Sequence, residues 1–181
     1  MSIQPEAKDW TWVLRAPCPD CGLDARGIEP ADVPATLRRV GPVFDAVLAQ
    51  GDAAGRRPAP GVWSPLEYAC HLRDVARLFD GRLRLILTAD EPRFDDWDQD
   101  AAAVEGRYRE QDPARVAGEL TQACEQLAVA FEAVPPQALE RGGTRADGVR
   151  FTVTSLGRYL VHELVHHAHD VTGERAGAVQ G

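Results

Sequence analysis

Apolar residues recur at intervals of three and four along four separate stretches of the chain, each bounded by residues that start or stop helices. The first stretch follows Pro30, with Asp32 as its N-cap; Leu37, Val40, Val43, Phe44, Val47 and Leu48 form its stripe and Gly51 ends it. The second opens on Ser64, Pro65 and Glu67, a capping box with a proline start, and its stripe runs through Tyr68, His71, Leu72, Val75, Phe79, Leu83 and Ile86. A third begins after Asp112-Pro113, carries Val116, Leu120, Ala123, Cys124, Leu127, Val129 and Phe131, and stops before Pro135-Pro136. The fourth runs from Thr152 or Thr154 to Gly173.

The connections differ in character. Residues 52–60 are rich in Gly, Ala, Arg and Pro and predict a loop. Residues 90–112 are acidic and aromatic and predict a loop or short helix crossing the bundle, with Trp97 a candidate to line the entrance to a site. Asp147-Gly148 predicts a tight turn into the last helix. No strand-helix alternation and no internal repeat is visible, so the expected fold is all-α, a four-helix bundle. Residues 1–29 predict an irregular N-terminal arm pinned by Trp10 and Trp12, residues 30–175 the bundle, and residues 176–181 a tail.

The length of 181 residues, 44% of them hydrophobic, is one ordinary domain. Such a chain builds a core without disulfide or metal, so ligand-type side chains inside it point to function rather than folding. A net charge of −8 with no basic cluster speaks against nucleic acid and anionic membranes as partners. No apolar run approaches the roughly 18 residues of a spanning helix, and no signal peptide is visible, so a cytoplasmic protein acting on a small molecule is expected. In that reducing compartment Cys18, Cys21, Cys70 and Cys124 need not pair.

Four of the five histidines lie between His162 and His169 on the last predicted helix. Ligands spaced by four share a helix face, which two registers satisfy: His162 with His166, or Glu163 with His167. With Leu160 at zero and roughly 100° per residue, Leu156, Leu164, His167 and Val171 fall within about 40° of the apolar centre. Glu163 lies about 60° away and Asp170 about 80°, whereas His162 and His169 fall at about 200° and about 180°, on the solvent side, and His166 at about 240°. The inward register is therefore Glu163 with His167. His71, interrupting the apolar stripe of the second helix, is the natural third ligand. A His, Glu, His set with open positions suits Zn²⁺, Ni²⁺, Fe²⁺ or Mn²⁺.

The run from Trp63 through His71 to Leu72, followed by His162-Glu163, His166-His167 and Asp170-Val171-Thr172-Gly173, resembles the DinB/YfiT-like superfamily of four-helix metalloproteins. It is similar also to the N-terminal domain of mycothiol-dependent maleylpyruvate isomerases. The resemblance spans about Val33 to Gly173 and implies a divalent metal on His71, Glu163 and His167. His162 and His166 mimic the all-His arrangement of other DinB-like proteins and stand as alternative ligands. Arg158 and Asp170 are then placed to hold the ligands in orientation or to take part in catalysis. Members with known activity transfer or isomerise with a low-molecular-weight thiol such as mycothiol or bacillithiol, and a homodimer is consistent with the resemblance.

The expected function is thus a divalent-metal-dependent thiol S-transferase acting on a small electrophile. The alternatives are a non-catalytic metal-binding or stress-response protein and a structural helical dimerisation domain. Two weaker motifs remain. Cys18-Pro19-Asp20-Cys21-Gly22 has the form of half a zinc site, or of a redox pair, without the other two ligands in view. Asp96-Trp97-Asp98-Gln99-Asp100 opens like a calcium loop but has Ala101 where glycine is required and Arg107 where the bidentate Glu is required.

Overall fold

The computed structural model describes residues 10–176; the outermost parts of the expected arm and tail, residues 1–9 and 177–181, lie outside them. Five helices are present among the described residues: α1 (Val33–Leu48), α2 (Pro65–Thr88), α3 (Gln99–Glu105), α4 (Pro113–Glu132) and α5 (Val153–Thr172). The four long ones are those the apolar periodicity predicts, although Val129, counted in the third stripe, is 52% exposed. Three of their caps are the predicted ones, whereas Asp32 precedes α1 without capping it through its side chain, which accepts from the Glu29 amide instead. Ser64 accepts from the Glu67 amide while the Glu67 carboxylate reaches back to Ser64. Asp112 accepts from the Arg115 amide at the start of α4, and Thr152 pairs with Ser155 in the same reciprocal way at the start of α5, which stops at Gly173. Each cap satisfies amides that a helix start leaves unpaired.

In the bundle α4 packs against both α1 and α2, and α5 packs against the same two helices from the other side. The core between them is filled by Leu37, Phe44, Leu72, Leu83, Leu120, Leu127, Leu156 and Leu160, all at most 1% exposed. The α2–α5 seam, where His71 faces Glu163 and His167, therefore lies at the side of the bundle away from α4.

A small sheet, not anticipated from the sequence, closes one end. Strand β1 (Arg93–Phe94) runs parallel to β2 (Gly142–Arg145), which pairs antiparallel with β3 (Arg150–Thr152) in the register Gly143 with Phe151. The predicted Asp147-Gly148 turn is the β2–β3 hairpin, in which the Gly148 amide donates to the Arg145 carbonyl at 2.8 Å. Strands of two to four residues are too short to show alternation, which is why periodicity passed over them. The acidic connection resolves into β1 and α3, with Asp98 capping α3 through the amides of Asp100 and Ala101. No helix among the described residues is long and apolar enough to cross a membrane.

Candidate metal centre

His71 sits in the second turn of α2, held there by the Ser64–Pro65 start, and Glu163 and His167 lie one turn apart on α5. Ligand atoms of these three residues all fall within 4.8 Å of one another. His71 Nε2 stands 3.7 Å from Glu163 Oε2, and His167 Nε2 stands 3.5 Å from the same oxygen. Both separations exceed an ordinary hydrogen bond. The His71 ring is 1% exposed and neither of its nitrogens has a hydrogen-bond partner. Two orphaned imidazole nitrogens on a buried ring, beside a half-buried carboxylate, are costly unless something else satisfies them.

His167 is oriented from behind, its Nδ1 lying 2.8 Å from Asp170 Oδ2. A neutral imidazole that donates through Nδ1 leaves Nε2 with its lone pair facing Glu163 and His71. Burial opposes charge on His167, but the carboxylates of Asp170 and Glu163 outweigh it and its pKa is pushed up to about 9. Burial pushes His71 down. Burial would raise the Glu163 carboxyl, yet the two imidazoles hold it well below its usual range. The carboxylate is thus ionised, and a cation in the centre would take the place of the proton that the cluster otherwise attracts.

Aromatic rings enclose the centre. Trp97 stacks on His71 at 5.4 Å, Trp63 lies 5.2 Å from the same ring, and Tyr68 lies 5.1 Å from His167. A cavity of about 320 Å³ opens above them, bordered also by Arg82, Arg145 and Tyr159. The small sheet explains the position of Arg145, since β2 carries it to the cavity rim. Arg82 was not singled out by the sequence reading, and its signal was an arginine inside the buried stripe of α2.

The other residues expected near the site are distributed differently. His162, predicted to face solvent, and His166, predicted off the apolar face, are buried at 1% and 9% exposure. The one-face assumption failed because α5 is covered twice, by the bundle on one side and by the N-terminal arm on the other. Trp10 of the arm lies 5.6 Å from the His162 ring and 5.0 Å from the His166 ring. A second apolar stripe of Val161, Val165 and Ala168, all buried, was the available sign of that second cover. Neither histidine joins His71; both converge instead on Cys18 and Cys21. Arg158 also turns away, donating through Nε to the Ile28 carbonyl at 2.9 Å and so holding the arm rather than the centre. His169 is at the surface side, 3.0 Å from the Glu174 carbonyl. Cys70 packs in the core as expected, and burial pushes its thiol up to about 12.

Fold and site together define a helical metalloprotein-like scaffold, and the chain belongs to the DinB superfamily, whose model matches residues 22–171. Among solved structures it is similar to YfiT from Bacillus subtilis, described as a probable metal-dependent hydrolase with an unusual four-helix bundle topology. The TM-score is 0.72 at 20% identity, over 80% of this chain and 84% of that one, a likeness of fold. No curated protein matches the chain.

Proposed function

We propose that the protein is a divalent-metal-dependent enzyme in which His71, Glu163 and His167 hold the ion and a low-molecular-weight thiol attacks a small electrophile. The observation that carries the metal reading is the buried His71 ring, both of whose nitrogens lack a hydrogen-bond partner beside Glu163 and His167. Two imidazoles and a carboxylate suit Zn²⁺, Ni²⁺, Fe²⁺ or Mn²⁺ with further positions open, so the donor set fits the group. When bound, such an ion acts as a Lewis acid and lowers the pKa of a thiol or water brought to it.

The remaining work falls to the protein's own side chains. Asp170 fixes the tautomer and rotation of His167. Trp63 and Trp97 limit water around His71, which strengthens every electrostatic interaction there. Arg82, 7% exposed at the cavity wall, offers a positive charge to an anionic group on the substrate. The thiol as nucleophile rests on the resemblance to thiol-dependent family members; YfiT is described as a probable metal-dependent hydrolase, and in a hydrolysis water takes the place of the thiol.

Untagged protein should carry a divalent ion that is lost in a His71→Ala, His167→Ala double variant. The purified enzyme is then offered a panel of small electrophiles with mycothiol, bacillithiol, glutathione or no thiol. Thiol adducts formed only by the metal-loaded protein support the transferase; turnover independent of thiol assigns a hydrolase; neither, with metal bound, leaves a binding protein.

A further inference from the structure

The molecule has a second cluster of metal-ligand side chains, separate from the one above. Cys18, Cys21, His162 and His166 each place a ligand atom within 4.8 Å of those of the other three, and all four residues are buried. The edge of a tetrahedron of thiolate and imidazole donors around zinc is about 3.3–3.8 Å, set by bond lengths of roughly 2.0–2.3 Å. One edge of the cluster already has that length, with Cys18 Sγ 3.6 Å from His166 Nδ1. We propose that Cys18, Cys21, His162 and His166 form a closed tetrahedral Cys₂His₂ zinc site that staples the N-terminal arm to α5.

Three independent features support it. First, the spacings are those of structural zinc sites: two cysteines separated by two residues and two histidines separated by three, the latter one helical turn apart. Second, the His162 ring is 1% exposed and neither nitrogen has a hydrogen-bond partner, a cost that nothing else among the described residues offsets. Third, the cysteine loop is built as a knuckle. The Gly22 amide donates to the Cys18 carbonyl at 2.9 Å and the Cys18 amide to the Leu23 carbonyl at 2.8 Å, and Gly22 turns the chain with φ +79°. From the other end of the chain Arg175 donates to the Pro19 carbonyl at 2.7 Å and the Ala176 amide to the Cys21 carbonyl at 2.9 Å. The loop is thereby fixed before any ion enters.

The two centres differ in chemistry and in task. His71, Glu163 and His167 offer no sulfur and border an open cavity, whereas two thiolates and two imidazoles fill all four positions of a small ion and favour zinc over harder cations. Cys18 and Cys21 lie ahead of the first residue that the family model matches, and the two histidines lie within it. The staple therefore joins residues ahead of the matched region to a helix within it, with Cys18 and His166 148 positions apart in the chain.

The test uses the full untagged chain. Metal analysis of the wild type should give about two divalent ions per chain, and the His71→Ala, His167→Ala variant should keep about one, released by a thiol-selective mercurial. Grown on cobalt, both proteins should show a thiolate-to-cobalt charge-transfer band with the intense visible bands of tetrahedral cobalt. Cys18→Ser, Cys21→Ser should remove that signature and one ion. Because the signature is sought in the wild type, misfolding of a variant does not decide the matter. A cobalt-loaded wild type without the charge-transfer band, or metal-supplemented protein isolated with a Cys18–Cys21 disulfide, would overturn the proposal. A wild type with only one ion per chain, unchanged in His71→Ala, His167→Ala, would uphold this site while removing the one proposed above.

Discussion

His166 and His167 are neighbours on α5, yet their rings, 5.6 Å apart with planes at 77°, serve different clusters. His166 directs Nδ1 at Cys18 Sγ, and His167 directs Nε2 at Glu163 Oε2. A helix turns about 100° per residue, so consecutive positions reach two of the surfaces packed around it. Asp170 stands between them, 2.8 Å from His167 Nδ1 and 3.9 Å from His166 Nε2. Only the first distance is a hydrogen bond, which ties Asp170 to the cavity-side centre.

Replacing Asp170 by Ala should therefore weaken metal binding at the His71 centre by about 10- to 100-fold, the usual effect of removing the group that orients a ligand histidine. Competition against a chromophoric chelator measures it, and the ion held by the Cys18 cluster serves as an internal control. Equal chelator competition for wild type and variant would show that His167 needs no such support.

Helix periodicity made the four long helices legible, because each buries a stripe wide enough to count and three of them cap themselves with local side chains. It also selected Glu163 and His167 over His162 and His166 as inward groups on the bundle side, and those two meet His71. The small sheet was not legible, since its strands are short and one pairing, Arg93 with Thr144, joins distant parts of the chain. The second cluster was half legible. Cys18 and Cys21 announced two donors, but the assumption that α5 has one buried face sent His162 to solvent and left His166 off the buried face. An N-terminal arm laid over a helix changes which residues are inside without changing the helix's own pattern.

Glu67 caps α2, four residues before His71, and is 1% exposed. Burial alone would raise its pKa; Arg57, whose Nε donates to Glu67 Oε2 at 2.8 Å, and the Ser64 amide and hydroxyl outweigh it, so the carboxyl is held below its usual range. A depressed folded-state pKa contributes stability above the unfolded value near 4.3, and that contribution is lost as pH falls through the folded value. Glu67→Gln should cost about 1.5–3 kcal/mol at neutral pH and flatten the fall of stability below about pH 4. Urea unfolding from pH 3 to 7 tests this, and an acid limb as steep as that of the wild type would refute it.

Two glycines in long helices should respond to alanine with opposite signs. Gly81 is exposed on α2, and a Cβ there meets nothing within 4 Å. Gly81→Ala should stabilise by about 0.5–1 kcal/mol through helix propensity, or roughly 2–4 °C per kcal/mol for a domain of this size. Gly157 is buried on α5, where a Cβ would lie 2.9 Å from Val33 Cγ2 and 3.3 Å from the Phe131 ring. Val33 is fully buried and has no room to yield, so Gly157→Ala should cost about 1–3 kcal/mol despite the same propensity gain. Calorimetric midpoints moving in the same direction for both variants would contradict the close approach of α1 and α5.

Arg82 bears on what the cavity admits. Its Nη2 donates to the Asp95 carbonyl at 2.9 Å, its guanidinium lies 4.9 Å from the centre of the Phe94 ring, and its Nε is buried with no hydrogen-bond partner. Burial lowers its pKa, but a guanidinium stays protonated throughout the working pH range. Arg82 therefore lines the cavity as a largely desolvated cation. Under the proposed function an anionic group on the electrophile pairs with this guanidinium, in a charge-assisted bond of about 1.5–3 kcal/mol. Arg82→Gln should then lower kcat/KM for a carboxylate-bearing electrophile by about 10- to 100-fold, mainly through KM, because the bond is made in the ground state as well as the transition state. A neutral analogue of the same electrophile should be affected several-fold less. Equal losses on both substrates, with an unchanged unfolding midpoint, would mean that Arg82 supports the cavity wall and does not read the substrate's charge.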